Sequence, residues 1–250
     1  MLSIRRQRYG VSIQEVYFPA SPCPLVDCDL RVEFCHQQAG RYHSPLMTSM
    51  INLHDDGEQI LGKFRRSYRR EIHGSEGQDE FVVSFTRDPR PQHIQAFGIA
   101  YDYFAQQQKL PPCNLNKLLF FAGQGSLILS SIRCAHSGHV LCQHAFIGDQ
   151  ERARLLHSLS DFRLYPLNSF QRNRVGRAHR LLHWADIQQF QQAGYHWYDL
   201  GGIAIPEATH LQNINHFKQG FGGELWQEYV NFIPMNLKGW LAMQYLKRQL

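Results

Sequence analysis

The stretch Gly176–Gly202, GRAHRLLHWADIQQFQQAGYHWYDLGG, decides the fold. Its first part predicts a helix over Gly176–Ala193 that ends at Gly194, because a glycine commonly follows the last turn of a helix. The apolar residues of this helix recur every third position and form one stripe: Leu181, Trp184, Ile187 and Phe190. Next, Tyr195–Leu200 predicts a strand, which breaks at the glycine pair that closes the stretch.

The segments before that helix predict strands. Ser126–Arg133 and Val140–Ile147 flank Ser137 and Gly138, a pattern typical of a β-hairpin. A further strand at Arg154–Phe162, the helix and the strand after it form a strand–helix–strand unit, which usually makes a right-handed crossover between neighbouring parallel strands. We therefore predict an α/β fold with flanking helices, whose mixed sheet is antiparallel at its start and parallel in the middle.

Other elements are predicted on both sides of this unit. In chain order they are a strand at Tyr9–Phe18, a helix at Asp56–Ile72, a strand-like apolar run at Leu118–Ala122, a helix at Leu211–Gln219, a strand at Glu224–Phe232 and a helix at Asn236–Gln249. The Pro-containing stretch Leu110–Cys113 is the best candidate boundary. We predict an N-terminal half, 1–110, and a C-terminal half, 111–250, packed as one compact unit.

Composition excludes several classes of protein. The chain has 250 residues, 43% of them hydrophobic and 19% charged, so it can bury a core and is not a disordered protein. Its net charge of +5 suits a phosphate-bearing ligand or an anionic surface. The sequence contains no run of about 18 apolar residues, the length that a membrane-spanning helix needs, so we predict no membrane span. The six cysteines form no CxxC pair and no signal peptide is apparent, so we expect a cytoplasmic protein with reduced thiols.

The segment that leads into the predicted helix is rich in arginine. Its residues are Gln171, Arg172, Arg174, Val175, Gly176, Arg177 and Ala178. Free N–H groups at a helix start, a glycine that permits close approach and several guanidinium groups together favour an anion such as a pyrophosphate. The alternative is a solvated basic loop before an ordinary helix.

Two further segments carry candidate catalytic residues. Asp199 ends a predicted buried strand, where a carboxylate can face a ligand cleft and accept a proton or orient an amine; the alternative is a turn aspartate. Lys218 precedes a glycine-rich turn and suits a phosphate or a developing oxyanion; the alternative is a surface lysine.

These segments together resemble a known family. Arg177–Trp184, then Tyr198–Gly202, then Phe217–Gly223 look like the C-terminal portion of FemAB-like acyltransferases of the GNAT superfamily, and the match covers about residues 115 to 235. The basic segment Lys63–Arg70 resembles an Arg-rich helix in the first half of that family. The resemblance implies a GNAT-like fold, with residues 1–110 as a degenerate first copy packed on a complete second one.

The resemblance also implies a reaction. The expected activity is metal-free transfer of an acyl group to an amine of a cell-envelope saccharide or peptidoglycan-type precursor, by direct attack in a ternary complex. Residues 171–178 would bind acyl-CoA, such as acetyl-CoA, although Arg174 stands where that pattern has a glycine; aminoacyl-tRNA is the alternative donor. Asp199 and Lys218 would be catalytic. Tyr198, Gly201, Gly202 and Phe217 would contact the substrate.

Weaker signals leave other partners open. Cysteines and histidines crowd the hairpin without a recognised zinc spacing, so we predict no metal site; they are Cys134, His136, His139, Cys142 and His144. The basic helix Lys63–Arg70 could bind RNA or lipid headgroups, and the C-terminal helix could dock peripherally on a membrane. The rival hypothesis is a non-catalytic GNAT-fold protein that binds RNA or an envelope component through its basic face.

Overall fold

The structure is a computed structural model that describes residues 1–19, 27–75, 80–161, 168–203 and 212–247. These residues form ten strands: β1 Leu2–Arg8, β2 Val11–Tyr17, β3 Leu30–His36, β4 His43–Asn52, β5 Phe81–Thr86, β6 Leu127–Cys134, β7 Val140–Gly148, β8 Arg152–Ser160, β9 Trp197–Ile203 and β10 Glu224–Pro234. They also form seven helices: α1 Gly57–Lys63, α2 Arg66–His73, α3 Pro91–Gln108, α4 Leu115–Gly123, α5 Ser169–Gln192, α6 Gln212–Gln219 and α7 Leu237–Lys247. The predicted mixed α/β class is confirmed.

The chain divides into two units. The first contains Met1–Ser49, Gly202–Gln212 and Leu225–Leu250, and the second contains Met50–Gly201 and Asn213–Glu224. The division predicted at residue 110 coincides with neither unit. Distant segments share the first unit because β10, near the end of the chain, pairs with β3. The helices α3 and α4 lie on either side of the proline pair, and both belong to the second unit.

Strands from both ends of the chain build the first unit. β1 and β2 form an antiparallel hairpin whose turn residues, Tyr9 and Gly10, both have positive φ (51° and 74°), as a tight hairpin turn requires. β2 pairs parallel with β3, and β3 pairs antiparallel with β10. Side chains from these strands and from α7 form the core: Ile13, Leu30, Val32, Val230, Phe232 and Met243.

In the second unit the strands run in the order β9-β8-β7-β6-β5. β5 to β8 pair antiparallel, which confirms the predicted hairpin, and β8 pairs parallel with β9 across the helix α5. Aromatic side chains dominate the core, including Phe146, Phe190, Tyr198 and Phe221, all of which are almost fully buried. The predicted strand–helix–strand unit is therefore present.

Two predicted elements of the second unit are wrong. The apolar run Leu118–Ala122 lies in α4 and is not a strand; a short apolar run does not distinguish the two, and Asn114 caps this helix by accepting from the Lys117 N–H. The single helix predicted at Asp56–Ile72 is two helices, because Phe64 is extended (φ −69°, ψ 152°) between α1 and α2.

Within the described ranges, no helix is both long enough and apolar enough to cross a membrane.

Candidate functional site

Neighbouring strands β8 and β9 bring together two arginines and one aspartate. Their parallel register pairs Arg152 with Trp197 and Arg154 with Asp199. Residues two apart on a strand face the same side, so both arginines reach one carboxylate oxygen. Asp199 Oδ2 accepts from Arg152 Nε at 2.9 Å and from an Arg154 terminal nitrogen at 2.6 Å. The Asp199 side chain is fully buried, and the arginine side chains keep only 11% and 10% of their exposure.

A backbone N–H of β9 itself occupies the second oxygen of Asp199. Its Oδ1 accepts from the Gly201 N–H at 2.8 Å. Gly201 has a φ of 76°, and a Cβ there would lie 2.8 Å from the Leu155 carbonyl oxygen, so only glycine fits this position. The carboxylate is thus held on both oxygens, and it neutralises part of the charge of two guanidinium groups.

Lys218 on α6 adds a third cation to this site. Its Nζ lies 3.7 Å from the point where a Cβ of Gly201 would be. Burial and the nearby Arg154 lower the pKa of Lys218 to about 8, while Asp199 opposes that shift. Arg152, Arg154 and Lys218 thus place three cationic groups around one buried carboxylate, and guanidinium and ammonium groups are side chains that can bind an anionic ligand.

The helix that carries Lys218 lies against the basic segment predicted at Lys63–Arg70. The Arg65 N–H donates to the Gly220 carbonyl at 2.9 Å, and the Tyr68 hydroxyl donates to the Phe217 carbonyl at 3.2 Å. Phe217 also packs against the Tyr68 ring. On α2, Arg66 and Arg70 are exposed. The exposed arginines and Lys218 are thus carried by two helices that contact each other.

The predicted substrate-contacting residues do not all face this site. Tyr198 is fully buried on the α5 side of β9, where its hydroxyl lies 2.6 Å from His183 Nδ1. Phe217 packs among aromatic rings. Gly201 lies at the site, and Gly202 belongs to the other unit.

The anion site predicted at 171–178 assumed that a helix begins at Gly176, and this assumption is wrong. The helix α5 begins at Ser169, not at Gly176, because Asn168 and Gln171 form a capping box. The Arg172 N–H already donates to the Asn168 carbonyl at 3.0 Å, so the N–H groups from Arg172 to Ala178 lie within the helix and cannot cradle a phosphate.

The side chains of that segment also have other partners. Arg174 and Arg177 pair with Glu80 at 2.7 and 3.4 Å. Val175 and Ala178 are buried against the β6–β7 hairpin. The segment thus packs a helix onto a sheet, and its backbone N–H groups are not available to a pyrophosphate.

Sequence reasoning missed a histidine cluster in the core of the second unit. His144 from β7 meets His179 and His183 from α5, with one ring nitrogen from each within 4.8 Å of the others. Burial lowers the pKa of His144 to about 3, and it lowers the pKa values of His179 and His183 well below their usual range, so all three rings are neutral. The spacing of four between His179 and His183 was the available signal.

The crowded hairpin itself does not gather its cysteines and histidines. Cys142 and His144 are buried, whereas His139 is half exposed and contacts Asp161. Only His144 of this group joins the cluster.

Comparison with solved structures identifies the fold. FemX superposes with a TM-score of 0.60 at 10% sequence identity, over 85% of this chain and 67% of FemX. The chain has a GNAT-like fold of the FemAB type. The C-terminal domain of a putative lysylphosphatidylglycerol synthetase from Agrobacterium fabrum gives 0.55 at 12% identity, over 87% of this chain and 71% of that one. L-PGS from Bacillus licheniformis gives 0.56 at 12% identity, over 88% and 72%.

Sequence comparison adds no family. No protein-family model matches the chain, and no curated protein matches it.

Proposed function

We propose that this FemAB-type chain is a transferase that moves an aminoacyl or acyl group to an amine of a cell-envelope saccharide or peptidoglycan-type precursor. The observation that carries the proposal is the cluster of Arg152, Arg154 and Lys218 around the buried Asp199, on the fold of FemX and of lysylphosphatidylglycerol synthetase. The name lysylphosphatidylglycerol synthetase denotes a product in which a lipid carries a lysyl group. Arginine and lysine side chains are suited to the anionic donor or acceptor of such a reaction.

We favour aminoacyl-tRNA over acetyl-CoA as the donor. Residues 171–178 do not fit a CoA pyrophosphate, since they lie inside α5. The exposed Arg66 and Arg70 lie on α2, which contacts the helix of Lys218 through Tyr68, and such arginines suit a polynucleotide backbone.

The residues then have separable roles. Arg152 and Arg154 bind a carboxylate or phosphate of a substrate, and Asp199 positions them; it is a poor general base because both its oxygens are already engaged. The acceptor nitrogen attacks the ester carbonyl, a C–N bond forms and the ester C–O bond breaks. The Lys218 ammonium donates to the developing oxyanion, and the proton lost by the amine passes to the leaving hydroxyl oxygen. A pKa of about 8 lets Lys218 exchange protons near neutral pH.

A donor assay tests the proposal. The purified chain is incubated with tRNA charged with labelled amino acids, or with labelled acetyl-CoA, and with amine-bearing envelope precursors. We expect transfer from aminoacyl-tRNA, lost in Lys218→Met and retained in Lys117→Met, a change on helix α4, which carries none of the proposed site residues. Transfer from acetyl-CoA alone would refute the donor, and no transfer from either would refute the enzyme.

The exposed Arg66 and Arg70 favour one second candidate, a non-catalytic protein that binds RNA. Binding that falls steeply with salt, without any transfer, would support it, because phosphate contacts release counterions.

A further inference from the structure

We infer that His144, His179 and His183 form a binding site for one divalent transition-metal ion of the zinc class. This inference does not depend on the proposed function, and it departs from the expectation of a metal-free protein.

The ligand nitrogens are nearly in place. His144 Nε2 and His179 Nε2 lie 3.0 Å apart, and all three ligand nitrogens lie within 4.8 Å of one another. Tetrahedral zinc with bonds of about 2.0–2.1 Å to nitrogen sets its ligand nitrogens about 3.3 Å apart. One pair is thus already close to the required spacing, and ring movements of about an ångström by His183 complete the set.

The outer nitrogens of two rings are held by partners that orient them. His144 Nδ1 lies 2.7 Å from Asp186 Oδ2, and His183 Nδ1 lies 2.6 Å from the Tyr198 hydroxyl. A carboxylate or other acceptor on the outer nitrogen is the usual support of a metal-bound histidine, because it fixes the tautomer that directs the other nitrogen at the metal. Asp186 is fully buried, so its contact with His144 is shielded from water.

The residues around the histidine cluster hold its rings in place and leave one ring partly exposed. Phe217 stacks on His179 at 4.6 Å between ring centroids, and Phe221 packs against His183 at 4.7 Å. His179 is only partly buried, so one of the three rings is accessible from outside the core, and the Ser158 hydroxyl lies 3.0 Å from its Nε2, beside the ligand nitrogens. Imidazole ligands suit zinc, cobalt, nickel and copper, and exclude the hard cations magnesium and calcium.

Metal titration tests the inference. The tag-free full chain is stripped with a chelator and titrated with zinc against a competing indicator, and bound metal is counted by elemental analysis. We expect one ion per chain, with an increase in Tm on loading. His179→Ala should abolish this binding. Asp186→Asn should weaken it about 10- to 100-fold, the usual effect of removing the carboxylate behind a ligand histidine. His157→Gln is the matched control, since His157 lies in the same unit beside Tyr101, outside the cluster, and it should bind zinc like the native chain.

Replacing a metal-binding histidine by cysteine tests the inference even if His179→Ala does not fold. His179→Cys should restore binding, and its cobalt form should show the thiolate-to-cobalt charge-transfer absorption that the native cobalt form lacks. A native chain that takes up no stoichiometric zinc, or one whose zinc survives both His179→Ala and His183→Gln, would overturn the inference.

Discussion

Replacing Asp199 by asparagine removes the buried charge that holds two arginines while preserving the shape of the side chain. Asp199 is fully buried, and Arg152 and Arg154 retain about a tenth of their exposure. Removing one partner of a buried ion pair costs about 3–5 kcal/mol, because the remaining charge is left uncompensated. Since water still reaches the guanidinium groups slightly, we expect the lower end, about 3 kcal/mol. For a chain of this size that corresponds to a decrease in Tm of about 6–12 °C.

Urea and thermal unfolding measure this loss. The control is Glu151→Gln, whose side chain is 71% exposed and pairs only distantly with His196, so its stability should change by less than about 0.5 kcal/mol. Adding Arg152→Met to Asp199→Asn should recover part of the loss, because it removes one of the uncompensated charges. A loss below about 1 kcal/mol for Asp199→Asn would show that the carboxylate does not stabilise the arginines, and the site would have to be reinterpreted.

Three further predictions follow from single side chains. Affinity for the anionic donor should fall as pH rises through about 8, the pKa of Lys218, because the ammonium is lost; Lys218→Arg, which stays charged, should flatten that profile in binding titrations. Gly220→Ala should destabilise the chain by about 1–3 kcal/mol in urea unfolding, since a Cβ there overlaps the Tyr68 ring, whereas Gly62→Ala meets open space in a helix and should stabilise by up to about 1 kcal/mol. Asn168→Ala should cost about 1 kcal/mol through the lost cap of α5; an unchanged urea midpoint would contradict this.

The pH dependence of stability has the opposite sign to that of binding. The folded pKa of Lys218 is lowered from 10.5 to about 8, so between these values the unfolded chain binds more protons. The contribution of Lys218 to stability therefore increases as pH rises from about 8 to 10.5, while anion affinity declines. The pH dependence of stability and that of anion affinity can therefore be measured separately on Lys218→Arg.

Periodicity was enough to predict the sheet of the second unit. The hairpin of β6 and β7 and the unit of β8, α5 and β9 follow from alternation and from one apolar helical stripe, both of which are local patterns. The start of α5 was missed because its first turns are exposed and carry no apolar stripe. The capping pair Asn168 and Gln171 determines where this helix begins.

The partners of Asp199 could not be predicted in the same way. The predicted end of its strand at the glycine pair is wrong, because β9 continues through Gly201 and Gly202 to Ile203. The arginines of Asp199 come from a strand about 45 residues earlier, and only the register of β8 against β9 selects them. The histidine cluster was missed for the same reason, since His144 lies 35 residues before His179. Local patterns predict elements, and the pairing of distant elements makes the sites.

Alternation along β9 separates the two sites of the second unit. Tyr198 faces α5 and the histidine cluster, and Asp199 faces the arginines and Lys218. Because adjacent residues of one strand serve opposite faces, a displacement of β9 shifts both sites together. The helix α6 also joins them, since the charge of Lys218 contributes to lowering the pKa of His183. A metal ion bound at the proposed cluster would therefore lie on the Tyr198 face of β9, and any effect on the Asp199 face would pass through the elements that the two sites share, β9 and α6.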